Sequence, residues 1–230
     1  MTAVEGPAVL AGADLHKRFG QTVALAGAGM RVARGEIVAV MGPSGSGKST
    51  LLHCLAGIVL PESGQVRYGE TDLLQLPDSR RSRLRRTEFG FVFQFGQLVP
   101  ELTCLQNVAL PLRLSGLGRR TANARATAWL ERLDVAGVAA KRPGEVSGGQ
   151  GQRVAVARAL VTGPAVVFAD EPTGALDSLA GEQVMKLLTD AARESAAAIV
   201  LVTHEARVAA YSDREVIVRD GRTRESVVLT

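Results

Sequence analysis

The sequence predicts an α/β fold built around a parallel sheet, and three short apolar runs carry this prediction. The runs are the length of strands and lie at 37–40, 166–169 and 199–202. Strands buried on both faces of a parallel sheet have such unbroken apolar sequences, because helices cover both sides. A glycine-rich loop follows the first run, two carboxylates follow the second, and a histidine comes shortly after the third. Ligands bind at the carboxyl edge of such sheets, so we expect these polar groups to meet there.

The loop after the first run has the frame G-x-x-x-x-G-K-[ST] and precedes a helical apolar pattern at 51–56. This strand, loop and helix order is the context that a phosphate-binding loop requires, whereas a glycine-rich turn with an accidental lysine would not need it. Backbone N–H groups and the positive helix end would surround phosphate oxygens, Lys48 would neutralise them, and the Ser49 hydroxyl would hold Mg²⁺. We therefore predict nucleoside triphosphate binding. The residues of the predicted loop are Gly42, Pro43, Ser44, Gly45, Ser46, Gly47, Lys48, Ser49 and Thr50.

Two adjacent carboxylates end the second run. Asp170 is placed to hold the Mg²⁺ shell, as the second acidic element does in phosphate-loop ATPases. Glu171 lies one residue further and is suited to polarise a water in line with the γ-phosphate. The alternative for Glu171 is a surface acid that begins a turn before Pro172.

A second candidate anion-binding helix start lies far from the first along the chain. Ser147 is a suitable N-cap residue, and Gly148 and Gly149 leave the first amides of the helix accessible, with Gln150 next in sequence. One nucleotide does not need two such sites from one chain. Two chains facing head to tail would each supply one.

Together these residues resemble the nucleotide-binding subunit of an ATP-binding cassette (ABC) transporter over essentially the full length. Residues 42–50 match the Walker A loop, Gln94 the Q-loop glutamine, and residues 147–150 the signature that distinguishes this family among phosphate-loop proteins. Asp170 and Glu171 close Walker B, residues 174–177 match the D-loop, and His204 matches the switch histidine. The resemblance implies a P-loop NTPase ABC ATPase fold, with a mixed sheet core, an antiparallel β subdomain and an inserted α-helical subdomain.

The resemblance also implies ATP and Mg²⁺ as ligands. Phe19 matches the aromatic residue that stacks on adenine, although a core phenylalanine at a strand end is the alternative. Gln94 would contact Mg²⁺ or the attacking water, and so joins Ser49 and Asp170 as a metal contact. Lys48, Gln94, Glu171 and His204 form the expected catalytic set.

The expected dimer places further residues across the seam. Ser147 and Gly149 would bind the γ-phosphate of ATP held by the opposite subunit, and Asp177 would link the two sites. His204 follows an apolar run and should lie at the carboxyl edge of the sheet. A lone histidine is more often structural, but its place in this motif set favours function.

Segments 108–112 and 169–174 resemble one group of ABC ATPases, which serves lipoprotein-releasing, macrolide-exporting, peptide-resistance and cell-division systems. The group implies an integral membrane permease with a large extracytoplasmic domain as partner, and a peripheral place on the cytoplasmic side of the cell membrane. A solute importer is the second candidate. A soluble ABC protein of DNA repair or translation is the third, although such proteins carry a coiled-coil insertion or a second cassette.

Composition fits a single domain over 1–230 and excludes few classes of function. The net charge is 27 − 23 = +4, which is too small an excess to argue for a nucleic-acid partner. Cys54 and Cys104 are too few for a disulfide scaffold and lack metal-site spacing. The apolar runs are too short to span a membrane, and residues 1–12 lack the pattern of a signal peptide. Five arginines at 80–86 favour a solvated helix face over a lipid-headgroup contact.

The order of patterns along the chain predicts two lobes. Residues 1–93 and 164–230 form the nucleotide-binding core lobe, and residues 95–163 form a largely helical signature subdomain. Ala126, Trp129, Leu130 and Leu133 follow helical spacing, which predicts one apolar face with Trp129 in the core. Residues 219–222 predict a tight hairpin.

Three departures from the family pattern lie around the signature and the Q-loop. Val146 replaces the usual leucine, which should be mild. Gly151 replaces a common glutamine in the first helical turn, at a cost of about 0.5–1 kcal/mol in helix stability. Residues 95–97, Phe-Gly-Gln, change the order after Gln94, where the chain should face the permease.

Overall fold

The computed structural model describes residues 8–226, and its core is a six-stranded sheet with a second, four-stranded sheet packed beside it. The strands are β1 (Ala8–Phe19), β2 (Thr22–Ala33), β3 (Ile37–Met41), β4 (Ser63–Tyr68), β5 (Thr71–Asp72), β6 (Phe89–Phe93), β7 (Val166–Asp170), β8 (Ala198–Val202), β9 (Arg214–Arg219) and β10 (Arg222–Ser226). The helices are α1 (Lys48–Leu55), α2 (Asp78–Thr87), α3 (Cys104–Leu114), α4 (Arg119–Arg132), α5 (Gly148–Leu160), α6 (Ser178–Ser195) and α7 (Ala206–Ala209), with short 3₁₀ turns at Leu73–Gln75, Ala136–Val138 and Pro143–Glu145.

The larger sheet has the strand order β10-β9-β3-β8-β7-β6, and all neighbours are parallel except β10 and β9. Its central strands carry the three apolar runs and are almost wholly buried. Val40 pairs with Val202, Val202 with Asp170, and Asp170 with Phe93. Because these residues form one row, the loops after β3, β6, β7 and β8 leave the sheet at the same carboxyl edge. The predicted α/β core is therefore confirmed.

The smaller sheet is antiparallel, with the order β2-β1-β4-β5. Its inward side chains, among them Leu10, Leu15 and Val66, share a core with α1 and one face of the larger sheet. The predicted mixed sheet and antiparallel subdomain are thus both present. At the end of β1, Phe19 remains 53% exposed.

Helices α3, α4 and α5 occupy most of the segment 95–163, as the sequence predicts. Ala126, Leu130 and Leu133 are buried along α4 and just beyond it. The placement of Trp129 in the core was wrong: its ring packs at the margin, only partly buried, with the Arg132 guanidinium 4.7 Å from the ring centroid. This helical core continues onto the second face of the larger sheet through residues such as Ala169. The division into two lobes stays a prediction.

The arginines of α2 do not form a single solvated face, and the expectation needs correction. Arg81 donates to the Leu76 carbonyl, and Arg85 donates to the Gly57 carbonyl at 2.6 Å. Both also lie within ion-pair distance of Asp78, at 3.5 and 3.8 Å. The remaining three point to solvent: Arg80, Arg83 and Arg86. Arg85 therefore ties α2 to the segment after α1, whereas Arg81 bonds the residue that precedes the N-cap of α2.

The hairpin predicted at 219–222 joins β9 to β10, with Arg219 paired to Arg222. Asp220 and Gly221 both have positive φ, 51° and 70°, as a two-residue turn between twisted strands requires. None of the helices within 8–226 has both the length and the apolarity to cross a membrane. The expectation about a signal peptide at 1–12 falls mostly outside the described residues.

Candidate active site

The phosphate loop forms a tight cradle between β3 and α1. Gly42 and Gly47 have φ values of 147° and 105°. A Cβ at Gly42 would lie 2.1 Å from the Val218 carbonyl oxygen, and one at Gly47 would lie 2.3 Å from the Ala24 carbonyl oxygen. Both conformation and space therefore require glycine at these two positions.

Lys48 is the first residue of α1, and its ammonium lies across the loop. Nζ donates to the carbonyl oxygens of Gly42 and Pro43 at 2.8 and 2.9 Å. Lys48 is only 8% exposed, and within residues 8–226 no carboxylate forms an ion pair with it. The Ser46 hydroxyl is also buried and has no hydrogen-bond partner there. A nearly buried cation held by neutral carbonyls, beside an unpaired hydroxyl, fits an anionic ligand such as a phosphate.

The β9–β10 hairpin is joined to the cradle by backbone hydrogen bonds. The Gly221 amide donates to the Ser46 carbonyl at 3.0 Å, and the Ala26 amide donates to the Gly221 carbonyl at 2.8 Å. The turn thus links the phosphate loop to β2. The sequence indicated the turn but gave no signal of this support, because residues 46 and 221 are far apart along the chain.

Ser49 and Asp170 meet at the carboxyl edge. The Ser49 hydroxyl donates to Asp170 Oδ1 at 3.1 Å, which joins the start of α1 to the end of β7. A hydroxyl and a carboxylate are oxygen ligands of the type that Mg²⁺ prefers. Among the described residues, no cluster of three or more His, Cys, Asp or Glu side chains could hold a metal. A cation here would need further oxygens from a ligand.

Glu171 and His204 form a close pair beside this contact. His204 Nδ1 lies 2.7 Å from Glu171 Oε1, and since a carboxylate only accepts, Nδ1 must carry the hydrogen. Glu171 has a φ of 49°, which is uncommon for a residue with a Cβ, and its amide donates to the Val202 carbonyl at 2.9 Å. Such strained residues are concentrated at functional sites. Glu171 also begins the turn named in the alternative, since its carbonyl accepts from the Gly174 amide at 3.1 Å, so its catalytic role stays a prediction.

Gln94 follows β6 at the same edge, and its side chain lies against Gly174. A Cβ on Gly174 would come within 2.8 Å of Gln94 Nε2, so the two segments touch closely. The structure thus brings the Q-loop glutamine against the D-loop. Its expected contact with Mg²⁺ or water stays a prediction.

The signature begins α5 as the sequence predicts. Ser147 Oγ accepts from the Gln150 amide at 3.2 Å, and Gln150 Oε1 accepts from the Ser147 amide at 3.1 Å, which completes a capping box. Within residues 8–226, the hydrogen bonds of these two residues and the packing of Gly148 and Gly149 involve α5 itself or segment 176–180, not the phosphate loop. The expected role of Ser147 and Gly149 at the nucleotide site of a partner chain stays a prediction.

Asp177 has a local role in the structure. Its Oδ1 accepts from the Ala180 amide at 2.9 Å and caps α6, while the residue remains exposed. Its expected place at a dimer seam stays a prediction.

Phe19 is not a core residue, so the alternative interpretation of this aromatic is wrong. Its ring is 53% exposed, and Lys17 Nζ lies 5.4 Å from the ring centroid. An exposed ring is available for stacking on a flat ligand.

The three departures from the family pattern lie close together. Phe95, Gln97, Val146 and Gly151 all line one cavity of about 240 Å³ between the Q-loop and the start of α5. Helix α5 runs through Gly151 without a break. The distance between these positions along the chain left no sign in the sequence that they line the same cavity.

The phosphate loop, the Ser49–Asp170 contact and the Glu171–His204 pair lie along one edge of a parallel sheet and define a nucleoside triphosphatase. The family model described as "ABC transporter" matches residues 25–174. The chain belongs to the ABC transporter family, and it is an ATP-binding subunit that hydrolyses ATP.

Similar proteins agree with this identification. The lipoprotein-releasing system ATP-binding protein LolD of Bordetella pertussis (strain Tohama I) is 48% identical over 193 residues, which cover 84% of each chain. LolD of Legionella pneumophila (strain Paris) is 40% identical over 206 residues, covering 90% of this chain and 91% of the relative. The solved ATP-binding cassette MJ0796, a dimer in a post-hydrolysis state bound to ADP and Pi, has a TM-score of 0.88 at 36% identity, with coverage of 96% and 99%. The predicted family, fold and activity are confirmed.

Proposed function

We propose that this chain powers a lipoprotein-releasing or related export system, as an ATP-dependent head-to-tail dimer bound to a membrane permease. The observation that carries the proposal is the separation within one chain of the phosphate cradle from the exposed start of α5. Each is a helix start suited to anions, and neither is complete alone. A second copy supplies the missing half of each site.

The catalytic residues have distinct tasks in this proposal. Lys48 and the loop amides bind the phosphates, and Phe19 stacks on adenine. Glu171 accepts the proton of the attacking water, while His204 Nδ1–H holds one carboxylate oxygen, Oε1, and leaves Oε2 to face that water. The pair thus fixes the direction of the base before the substrate arrives.

Mg²⁺ fits the oxygens at the end of β7. Ser49 Oγ, Asp170 Oδ1 and the amide oxygen of Gln94 are the groups that would hold it. When bound with ATP, the ion neutralises the charge that develops on the phosphates. Ser49 keeps a lone pair for a cation even while its hydrogen bonds Asp170.

The dimer and the permease are supported by similar proteins. MJ0796 was solved as a dimer, and relatives of 40–48% identity are named as parts of lipoprotein-releasing systems. We place the chain at the cytoplasmic face of the inner membrane as a peripheral subunit. Residues 1–93 with 164–230 act as its nucleotide-binding lobe, and residues 95–163 act as its signature lobe.

Reconstitution tests this function. The chain is combined in liposomes with a candidate permease that has a large extracytoplasmic domain and with a fluorescent lipoprotein, and ATP-dependent release to an acceptor is measured. We expect release with the wild-type chain and none with Lys48→Ala, which removes the phosphate-binding cation. ATP-driven uptake of a soluble solute, without lipoprotein release, would instead identify an importer.

A further inference from the structure

The loop that carries Gln94 is fastened to the signature helix by three hydrogen bonds to its backbone. Gln152 Nε2 donates to the Phe93 carbonyl at 2.8 Å. Arg158 donates twice, from Nη2 to the Gly96 carbonyl and from Nη1 to the Gln97 carbonyl, both at 2.7 Å. Both donor side chains belong to α5, and both lie about sixty residues from their acceptors along the chain.

The backbone of the loop is shaped to receive these donors. Gly96 and Gln97 have φ values of 65° and 45°, so two successive residues are left-handed. A Cβ at Gly96 would lie 3.3 Å from Gln152 Oε1 and 3.5 Å from Ala155 Cβ, which shows how closely the turn lies on α5. The turn presents two adjacent carbonyls to one planar guanidinium, whose donors have the spacing of a fork.

Among the described residues, no acidic partner accounts for the position of Arg158. Within residues 8–226 its hydrogen bonds go only to these two carbonyls, and it takes part in no ion pair. Partial burial lowers its pKa, yet an arginine keeps its charge. Phe95, in the middle of the same loop, is 76% exposed, so the contact to α5 is made by the backbone rather than by this apolar side chain.

The same helix begins at the signature. Ser147 caps α5, and Arg158 lies eleven residues later, a distance of about 16 Å along a helix. One rigid element thus connects the loop of Gln94, which serves the site of its own chain, with the serine that would serve the site of the partner chain.

We propose that Arg158 is a positioning residue that, with Gln152, locks the Gln94 loop to α5, so that Gln94 and Ser147 move together. This inference rests on the proposed function, because it assigns Gln94 and Ser147 to opposite sites of the dimer. Arg158 touches neither nucleotide nor metal in this assignment. It acts through the backbone of residues 96 and 97.

The first test is independent of ATP and of the dimer. Hydrogen exchange of the amides at 96–98 is measured in the nucleotide-free chain for Arg158→Lys, because one ammonium cannot reproduce the two-pronged contact. We expect exchange to accelerate at least tenfold in this loop, with little change in α3 or α6. Arg132→Lys is the matched control. Arg132 lies in α4, within the same segment 95–163, and it pairs with Glu194 rather than with the Gln94 loop. Unchanged exchange in Arg158→Lys would overturn the lock.

The second test measures what the lock does in turnover. We expect Arg158→Lys to lower kcat about 10- to 100-fold, as displacement of a catalytic group by about 1 Å does, while KM for ATP stays within about twofold.

Phe95→Trp in a Trp129→Phe background provides a single fluorescent reporter in the loop. Its response to ATP should be lost in Arg158→Lys and kept in Arg132→Lys. A raised KM with normal kcat and a normal fluorescence response would contradict positioning.

The two tests separate this inference from the proposed function. If the wild-type chain fails to release lipoprotein but Arg158→Lys still frees the loop and lowers kcat, the lock stands and the transport assignment fails. If release succeeds and Arg158→Lys behaves as Arg132→Lys does, the lock fails alone. A lower melting temperature without faster exchange at 96–98 would show a merely structural arginine and would also overturn the proposal.

Discussion

At the scale of single residues, Glu171 shows most clearly how the backbone conformation orients a candidate catalytic side chain. Its left-handed backbone turns the side chain toward His204, and the 2.7 Å contact fixes one carboxylate oxygen. We expect Glu171→Gln to lower hydrolysis about 10²- to 10⁴-fold, because an amide cannot accept the proton, while ATP binding persists. Phosphate release and equilibrium ATP binding measure the two effects. Glu131→Gln on the exposed side of α4 is the control, and unchanged turnover in Glu171→Gln would reject the base assignment.

Phe19 allows a second test of one side chain. Its ring is half exposed, so its removal should spare the fold while weakening ATP binding by about 0.5–1.5 kcal/mol beyond the loss of contact area. Phe19→Ala and Phe19→Tyr are compared by ATP titration and thermal melting. We expect the tyrosine variant, which keeps a ring, to bind almost as the wild type does. A lower melting temperature with unchanged affinity in Phe19→Ala would point to a packing role instead.

At the scale of elements, the turn between β9 and β10 supports the phosphate loop. A Cβ at Gly221 would lie 2.9 Å from backbone atoms of 24–26, so Gly221→Ala should displace the turn and its bond to Ser46. Gly163 has the same φ of 70°, but a Cβ there would meet no atom of residues 8–226 within 4 Å, so Gly163 is the matched control. We expect Gly163→Ala to cost only about 1–2 kcal/mol of backbone strain. Gly221→Ala should lose more stability and also raise KM for ATP, measured by melting and steady-state kinetics; equal effects would contradict the support.

The elements also show which parts of the fold a sequence can predict. The strands β3, β7 and β8 were predictable because burial on both faces leaves an unbroken apolar run, and the hairpin because its turn needs Asp-Gly. Long-range polar contacts left no such pattern. Nothing local in α2 indicated that Arg81 and Arg85 donate to backbone carbonyls. Likewise, nothing local in α5 indicated that Arg158 donates to a loop sixty residues away. Trp129 fitted the helical spacing, yet it is only partly buried against the core and its ring lies against the Arg132 guanidinium.

At the scale of the whole molecule, the signature and the phosphate cradle lie apart within one chain. In a mixed dimer of two different mutant chains, this separation determines which mutated residues meet in one nucleotide site. In a head-to-tail dimer each site takes Lys48 and Glu171 from one chain, and Ser147 and Gly149 from the other. A homodimer of Lys48→Ala or of Ser147→Arg therefore has two damaged sites. A dimer with one chain of each kind gathers both lesions in one site and leaves the other intact, since the interface is isologous.

Mixing these two inactive variants should therefore restore part of the ATPase activity, measured across a range of protein concentrations. If hydrolysis requires both sites of a dimer to be active, activity stays low. Adding Glu171→Gln to both variants then tests the composite-site geometry through the amount of trapped ATP. The trapped mixed dimer should then hold one ATP rather than two, because only one site has both an intact cradle and an intact signature. Each variant alone is the control and should trap no such dimer. Full ATP retention by monomers, independent of protein concentration, would exclude composite sites, because a site shared between chains can close only when two chains meet.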